Sequence, residues 1–398
     1  MEWFREMRKA LMKELEDSVE LTDQDILEKI DELLLGNGRE GYIPLKEKVR
    51  LRQELFDSVR KLDVLQELID NPRVTEIMVN GYQAIYVEKD GKINRWGKSF
   101  TSEEKLEDVI QQIAGQCNRV VNENKPIVDA RLSNGSRVNV VVSPVALNGP
   151  ILTIRRFPDE PITMERLIQL GSITREGAKL MKKLVAAGYS ILIGGGTSAG
   201  KTTFLNALSN YIPKDERIIT IEDNAELQIQ GVENLVRLEA KEANIEGNKA
   251  IAIRDLIKTA LRMRPNRIVV GEVRGEEAID LLQAWNTGHE GSLGTAHANS
   301  AGDMVSRMET MVLMGMNLPL EAIRRQIASG IDILVHLGRM RDKKRRVLEI
   351  VEVTGFYDGE VKLLPLYGWD DKKEQLMFRH KLQDTIKLER AGYYENEL

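Results

Sequence analysis

The sequence of 398 residues lacks several features that would mark particular classes of protein. It has one cysteine, Cys117, so neither a disulfide framework nor a CxxC metal site can be built from it. No apolar run approaches the roughly 18 residues of a membrane-spanning helix. The amino-terminal residues are too charged for a signal peptide. We therefore expect a reduced thiol, and any membrane association to be peripheral or through a partner.

An excess of positive charge is also missing. Lys and Arg number 57 against 62 Asp and Glu, which gives a net charge of −5. A protein that binds nucleic acid regardless of sequence is clearly basic, so the whole-chain charge disfavours that class. The 42% of hydrophobic and 30% of charged residues are ordinary for a folded soluble protein. At about 100–200 residues per domain, the length predicts two or three domains.

The residue pattern divides the chain into four segments. Apolar residues at helical spacing predict helices near the amino terminus, the first over residues 3–19. Further on, short β-rich stretches flank turn signals such as Asn134-Gly135, and Pro158 and Pro161 favour a linker. Beyond them, buried strands alternate with helices, which predicts an α/β domain with a parallel sheet. The predicted segments are 1–62 (a helical bundle), 63–157 (an α+β domain), 158–166 (a linker) and 167–398 (an α/β domain that ends in an antiparallel β-meander).

A glycine-rich segment follows the apolar strand at Ser190–Gly194 and satisfies G-x-x-x-x-G-K-S/T. Its glycines let backbone N–H groups approach phosphate oxygens, and the start of the following helix adds partial positive charge. We predict that Lys201 reaches the β- and γ-phosphates of ATP and that Thr202 offers its hydroxyl to Mg²⁺. The predicted nucleotide-binding residues are Gly195, Gly196, Thr197, Ser198, Ala199, Gly200, Lys201, Thr202 and Thr203.

The same turn has a competing interpretation as a dinucleotide-binding fingerprint. Gly194, Gly196 and Ala199 fit G-x-G-x-x-A, and Glu222 follows about 20 residues later, where an acid would bind a ribose. Lys201 at the start of the helix has no role in such a site. The phosphate loop of an NTPase is therefore favoured.

Two predicted strands end in acids. The strand Arg267–Gly271 leads to Glu272, and an NTPase places such an acid-tipped strand beside the strand of its phosphate loop. We predict that Glu272 orients or deprotonates the attacking water, the alternative being an acid that stabilises the start of the next helix. Glu222, followed by Asp223 and Glu226, would help to place Mg²⁺ directly or through water, the alternative being a solvated loop charge.

One histidine and a group of arginines complete the candidate site. His297 ends a predicted strand, where it would donate a hydrogen bond near a γ-phosphate or else bond only to the backbone. Arg131, Arg137, Arg155 and Arg156 cluster around a hairpin and the last strand of the α+β domain. Arginine suits phosphate oxygens, so these residues would make ATP turnover depend on domain closure. The alternative is a solvated strand face.

The segment 339–346 is strongly basic. We interpret it as an exposed hairpin turn between two strands. Contact with an anionic lipid surface or with nucleic acid is the alternative.

Four motifs, taken in order, resemble those of the secretion and type IV pilus assembly ATPases. They are the phosphate loop GGGTSAGKT, the Asp-box region RIITIEDNAEL, the Walker B region RPNRIVVGEVRGEEA and the His box GHEGSLGTAHAN. The pattern DAR…GSRVNVVV…LTIRRF and a helical amino-terminal extension are most similar to the CpaF-type ATPases of tight-adherence (Flp) pili. The resemblance covers residues from about 60 to 355. Two departures are Ser198-Ala199, where the family usually has Gly-Ser, and Gly294, where the His box often has Thr.

The resemblance implies a RecA-like core in a homohexameric ring of two-domain subunits, with ATP and Mg²⁺ between the domains. It implies that Glu272 is the catalytic acid and assigns Glu222 to the Asp box and His297 to the His box. It also implies γ-phosphate contacts from Arg131, Arg137 and Arg155.

The implied function is that of a cytoplasmic motor that is bound peripherally to the inner membrane through a platform protein. Such a motor assembles a pilus or secretes protein, and no direct contact with nucleic acid is expected. The carboxy-terminal signature of the retraction motors has no match in the sequence, so assembly is favoured over retraction.

Two other functions stay open at this point. One is a nucleic-acid translocase of the same superfamily, as in conjugation, which the net charge disfavours. The other is a nucleotide-gated scaffold that assembles a ring without sustained hydrolysis. The intact Lys201, Thr202 and Glu272 oppose the scaffold.

Overall fold

The computed structural model describes residues 22–36, 44–89, 91–132, 134–156, 161–241 and 250–393, together with Met7, Ala10 and Leu11. The chain forms two compact units, unit 1 (Met1–Asp159) and unit 2 (Glu160–Leu398). Most of the predicted first helix and Asp90 of a predicted turn lie outside the described residues. The further division of unit 1 at residue 62 stays a prediction.

Unit 1 begins with helices that share a small core. Helix α1 (Asp23–Gly36) starts at Thr22, whose hydroxyl accepts a hydrogen bond from the amide of Asp25 at 3.3 Å. The Asp25 carboxylate in turn accepts from the amide of Thr22 at 2.8 Å, so the two residues cap the helix reciprocally. Helix α2 (Leu45–Arg60) packs against α1. The buried side chains of this core are Met7, Leu11, Ile26, Ile30, Leu34, Leu51, Leu55 and Phe56.

The rest of unit 1 is a six-stranded antiparallel sheet in the order β3-β2-β1-β6-β5-β4. A short 3₁₀ helix (Asp63–Leu65) and α3 (Gln66–Ile69) precede it, and α4 (Glu103–Gln116) packs into its core through Leu106 and Ile110. The predicted hairpin at Asn134 is confirmed as the β4–β5 pair. The strands are β1 (Val74–Asn80), β2 (Ile85–Lys89), β3 (Lys92–Arg95), β4 (Ile127–Arg131), β5 (Arg137–Val141) and β6 (Ile151–Arg155).

Unit 2 is built on a nine-stranded sheet in the order β15-β14-β13-β12-β7-β11-β10-β8-β9. The strands from β12 to β9 in this order are parallel, and β13, β14 and β15 are antiparallel. The strands are β7 (Ile191–Gly195), β8 (Ile218–Glu222), β9 (Leu235–Glu239), β10 (Arg267–Val273), β11 (Leu293–Ala296), β12 (Ile333–Arg339), β13 (Arg345–Tyr357), β14 (Glu360–Asp370) and β15 (Gln375–Phe378).

Helices cover both faces of this sheet. Ile191 and Ile193 of β7 share one core with the side chains of α6 and α7, and Leu192 enters the other core with α8 to α11. Burial on both faces explains why these strands are almost wholly apolar in sequence. The helices are α5 (Met164–Gln169), α6 (Arg175–Ala186), α7 (Lys201–Ser209), α8 (Ile253–Ala260), α9 (Glu277–Asn286), α10 (Ala301–Gly315), α11 (Leu320–Gly330) and α12 (Ile386–Arg390).

The carboxy-terminal meander differs from its prediction in one respect. Strands β12, β13 and β14 are antiparallel neighbours as predicted, but β12 also pairs in parallel with β7, for example at Ile333 and Ile191. The meander therefore continues the central sheet. Strands β9 and β15 were not predicted, and α5 begins at Met164, inside the segment predicted as a linker.

Among the described residues, no helix combines enough length with enough apolar character to cross a membrane.

Candidate nucleotide-binding site

Four neighbouring parallel strands bring the predicted site residues of unit 2 to one edge of the sheet. The strands lie in the order β7, β11, β10, β8, and their carboxyl ends carry Lys201 (through the glycine-rich loop), His297, Glu272 and Glu222 respectively. This edge of an open parallel sheet is where ligands bind in α/β proteins. The prediction that the strand of Glu272 lies beside the strand of the loop was wrong, because β11 separates them. His297 consequently lies between Lys201 and Glu272.

The loop of residues 195–202, called the phosphate loop below, leads from β7 to α7. Gly200 immediately precedes the helix and has φ +93°, a conformation that glycine adopts without strain. Gly196, Thr197 and Ser198 are exposed, whereas Ala199 is buried beneath them. An added Cβ at Gly196 would meet no atom within 4 Å, so the space beside this residue is open. This arrangement leaves room for phosphate beside the start of a helix.

Lys201 is buried and lies at the centre of the site. The residue is 7% exposed, and its Nζ lies 3.1 Å from the carbonyl oxygen of Gly195 and 3.4 Å from that of Gly196. The same nitrogen lies 3.3 Å from Oε1 of Glu272 and 3.3 Å from Nδ1 of His297. An ammonium group only donates hydrogen bonds, so these four atoms are its acceptors. Lys201 thereby links the phosphate loop to β11 and β10.

His297 joins Lys201 to Glu272. Because the ammonium only donates, Nδ1 of His297 is an acceptor, and its Nε2–H donates to Oε1 of Glu272 at 2.9 Å. Burial lowers the pKa of His297 and the charge of Lys201 lowers it further, against the opposing effect of Glu272. The imidazole is therefore neutral near pH 7, with a defined tautomer.

Arg274 holds the other oxygen of Glu272, and sequence reasoning missed it. Its Nε donates to Oε2 of Glu272 at 2.6 Å, and its Nη1 lies 3.3 Å from Oδ2 of Asp223, so it links the acids that end β10 and β8. Burial alone would raise the pKa of Glu272, but the hydrogen bond from Arg274 and the charges of Lys201 and Arg274 hold it below its ordinary value. The sequence signal that could have identified Arg274 is its position two residues after Glu272, because side chains two residues apart in an extended chain lie on the same side.

Glu222 is the most buried acid of the site, with 2% of its surface exposed. Its Oε2 accepts hydrogen bonds from the amides of Glu226 at 2.7 Å and Leu227 at 2.8 Å, but its Oε1 has no hydrogen-bond partner among the described residues. Burial raises the pKa of Glu222 to about 7, although the two amides act in the opposite direction. An added Cβ at Gly271 would lie 3.0 Å from Cγ of Glu222, so the absence of a side chain there makes room for this acid.

The oxygen atoms of the site are suitable ligands for a magnesium ion that binds together with a nucleotide. Among the described residues, no group of three or more His, Cys, Asp and Glu side chains could hold a metal by itself. Mg²⁺ in nucleotide sites is commonly bound by one or two protein groups and substrate phosphates. Oε1 of Glu222, which has no hydrogen-bond partner among the described residues, is a carboxylate oxygen of the kind that binds Mg²⁺. Thr202, whose hydroxyl is the other predicted ligand, is half-buried at the start of α7.

The predicted arginines of unit 1 form a row across three strands. Arg137 of β5 lies directly opposite Arg131 of β4 and Arg155 of β6, so the three side chains share one face of the sheet. Nε of Arg131 donates to the carbonyl of Gly135 at 3.1 Å. Arg156 differs, since it donates to the carbonyl of Asn71. On its other side Arg155 lies opposite Glu76 of β1, so an acid flanks the row at that end.

Comparison with known proteins gives matches over most of the chain. The family model described as "Type II/IV secretion system protein" matches residues 59–366. A Mycobacterium tuberculosis protein, named provisionally as a conjugal transfer protein, is 37% identical over 313 residues, which are 77% of this chain and 88% of the relative. The type IV secretion system protein PtlH of Bordetella pertussis is 33% identical over 315 residues, 73% of this chain and 93% of PtlH.

One solved structure with a similar fold is that of the pilus retraction motor PilT with bound ADP. The TM-score is 0.53 with 21% identity, over 83% of this chain and 86% of the PilT chain. At this identity the likeness supports the fold alone.

Proposed function

Because the chain belongs to the family of type II/IV secretion system proteins and has an α/β, RecA-like core, we propose that it is a motor that hydrolyses ATP. The observation that carries the proposal is the meeting of Lys201, His297 and Glu272 at one end of three parallel strands, with each polar contact at 3.3 Å or less. A cation on a phosphate loop and a carboxylate that orients water are two of the groups that NTPases use to transfer a phosphoryl group to water.

Substrate binding is proposed to begin at the phosphate loop. The backbone N–H groups of the loop and the start of α7 would hold the β- and γ-phosphates, and Lys201 would turn from Glu272 to the phosphate oxygens. Thr202 and Glu222 would hold Mg²⁺, which supplies positive charge to the phosphates when bound. Because Lys201 and Glu272 are partners in this structure, phosphate binding would release one oxygen of Glu272 toward the attacking water.

Glu272 is the proposed residue that orients the attacking water. Its lowered pKa keeps it ionised at neutral pH, and Arg274 fixes its Oε2, so its Oε1 is the oxygen that faces the phosphate loop. His297, which donates to that same Oε1, would hold the carboxylate in place and respond to loss of the γ-phosphate. Proton acceptance by a positioned carboxylate contributes about 10² to 10⁴ in rate.

Unit 1 is proposed to supply arginine to the γ-phosphate. The row of Arg131, Arg137 and Arg155 supports this role, because three guanidinium groups on one sheet face make a site for a polyanion. If one of these arginines reaches the γ-phosphate, hydrolysis would depend on domain closure, a two-state hinge motion, as the resemblance implies.

The proposed cellular role is that of a homohexamer at the cytoplasmic face of the inner membrane, bound to a platform protein. We propose that it powers assembly of a tight-adherence (Flp) pilus or secretion of protein, as the similarity to CpaF-type motifs implies. The family match and the type IV secretion name of PtlH support the secretion class.

A second candidate function is translocation of nucleic acid. The conjugal-transfer name of the mycobacterial relative favours it, whereas the net charge of −5 disfavours it. Stimulation of ATP hydrolysis by single-stranded DNA, measured at two salt concentrations, would support this candidate over protein transport.

Two substitutions test the proposed hydrolysis. With Mg²⁺-ATP and phosphate release as the assay, Lys201→Ala is expected to abolish hydrolysis. Glu272→Gln is expected to bind ATP with nearly unchanged affinity while its kcat falls by about 10² to 10⁴. Glu321→Gln removes an exposed acid of the same unit, outside the four motifs, and serves as the control.

Two outcomes would contradict the proposal. Full turnover by Glu272→Gln would remove the role of that residue. A wild-type protein that binds ATP but releases no phosphate would favour the non-hydrolysing scaffold instead.

A further inference from the structure

The phosphate loop contains a serine in a backbone conformation that usually belongs to glycine. Ser198 has φ +58°, in the left-handed region where a Cβ is crowded by the neighbouring carbonyl group. The conformation is uncommon in residues other than glycine, asparagine and aspartate, and contacts from the surroundings help to hold it. The structure shows one such contact at Ser198.

That contact comes from Arg345, the first residue of β13. Its Nε donates a hydrogen bond to the carbonyl oxygen of Ser198 at 2.9 Å, across 147 residues of sequence. Its stem crosses the outer side of the loop, because an added Cβ at Gly200 would lie 3.3 Å from Cδ of Arg345. Among the described residues, the Ser198 carbonyl is the one hydrogen-bond partner of this side chain.

The β12–β13 hairpin is well placed to hold the loop. Leu337 of β12 pairs with Gly195, and an added Cβ at Gly195 would lie 2.7 Å from the Leu337 carbonyl oxygen. Arg345 lies opposite Arg339 in the same hairpin. The start of the loop is thus packed against β12, and its exposed turn is held by β13.

We propose that Arg345 is a positioning residue, which holds Ser198 in the left-handed conformation and so keeps the phosphate loop in its binding form. The proposal rests on the nucleotide site proposed above. In this role Arg345 acts through the Ser198 carbonyl, to which its Nε donates.

The first test removes the hydrogen bond. Arg345→Ala is expected to raise the Kd of Mg²⁺-ADP, measured by titration calorimetry, by about tenfold, the size of one charge-assisted hydrogen bond. At saturating ATP the kcat is expected to stay within about twofold, because the loop conformation is restored once phosphate occupies it. Arg341→Ala removes the same charge from the same turn, where it makes no hydrogen bond to a described residue, and is expected to leave the Kd within about twofold.

The second test asks whether Arg345 acts through Ser198. Glycine adopts φ +58° without strain, so Ser198→Gly in the Arg345→Ala background is expected to restore most of the lost affinity. In the Ser198→Gly background, removal of Arg345 is expected to change the Kd by less than twofold. A structural defect caused by loss of Arg345 would not be repaired by a glycine in the loop.

The outcomes separate this inference from the proposed function. An unchanged Kd in Arg345→Ala, an equal loss in Arg341→Ala, or a tenfold loss that persists with Ser198→Gly would each overturn the inference alone. A wild-type protein without affinity for Mg²⁺-ADP and Mg²⁺-ATP would overturn the proposed function, and the inference with it.

Discussion

The pairing of Lys201 illustrates how the site is held at the scale of single residues. A buried ammonium without acceptors is strongly destabilising, and here two loop carbonyls, His297 and Glu272 supply the acceptors. Arg274 completes the charge balance by pairing with the second oxygen of Glu272. The proposed hydrolysis therefore starts with an exchange of partners, in which phosphate takes the place of Glu272 on Lys201.

The raised pKa of Glu222 predicts that the stability of the protein depends on pH. Its pKa of about 7 in the folded protein exceeds its ordinary value of 4.5, so folding favours the protonated form. The stabilisation is fully present below pH 4.5 and is lost as the pH rises to about 7, a change of about 3 kcal/mol for this group. In the nucleotide-free protein, Glu222→Gln is expected to remove this fall, as measured by urea unfolding at several pH values from 4.5 to 8.

A neighbouring acid provides the matched comparison for this measurement. The charge of Glu226 contributes to raising the pKa of Glu222. Glu226→Gln should therefore keep the fall in stability but complete it at a lower pH. If wild type and Glu222→Gln lost stability in parallel over this range, the assignment to Glu222 would be wrong.

At the scale of elements, the sequence predicted the motifs and most of the helices and strands that carry them. It did not predict the order of the strands, because pairing joins residues that are far apart in the chain. The insertion of β11 between β7 and β10 brings His297 between Lys201 and Glu272, and no local pattern near any of these residues encodes that neighbourhood. Arg274 was missed for a related reason, since its role depends on a partner, Asp223, that ends another strand.

The close approach of β8 and β10 at Gly271 predicts that an added methyl group there destabilises the protein. Gly271→Ala would put a Cβ 3.0 Å from Cγ of Glu222, and we expect a loss of about 1–3 kcal/mol in the free energy of unfolding. The same substitution should lower kcat, because Glu222 is displaced from the site. Gly294→Ala in β11 is the control, since its Cβ would meet the ring of Trp285 at 3.5 Å, an ordinary contact.

Urea unfolding and phosphate release on both variants check this prediction. Equal losses of stability in Gly271→Ala and Gly294→Ala would show that the contact with Glu222 is not the limiting one.

At the scale of the whole molecule, anion-directed groups lie in both units. Unit 2 carries the phosphate loop and its acids, and unit 1 carries the row of three arginines. The proposed hydrolysis draws on both sets, because unit 2 supplies the nucleotide cradle and the arginine row of unit 1 supplies cations for the γ-phosphate. A motor that couples hydrolysis to movement gains from this division, since chemistry then occurs only in a closed arrangement.

Arg137, the central member of the arginine row, provides the last prediction. If Arg137 contacts the γ-phosphate, Arg137→Ala should lower kcat by about 10³ to 10⁵, as loss of an arginine finger does, while unit 2 retains its affinity for Mg²⁺-ADP. Light scattering with a non-hydrolysable ATP analogue separates chemistry from assembly, since a ring has six times the 45.1-kDa mass of the chain. Arg95→Ala, in β3 at the opposite edge of the same sheet, should leave both kcat and mass unchanged. If Arg137→Ala formed the ring and hydrolysed ATP at the wild-type rate, Arg137 would have no role in the chemistry, and the proposed γ-phosphate contacts would be left to Lys201, His297 and the other two arginines of the row.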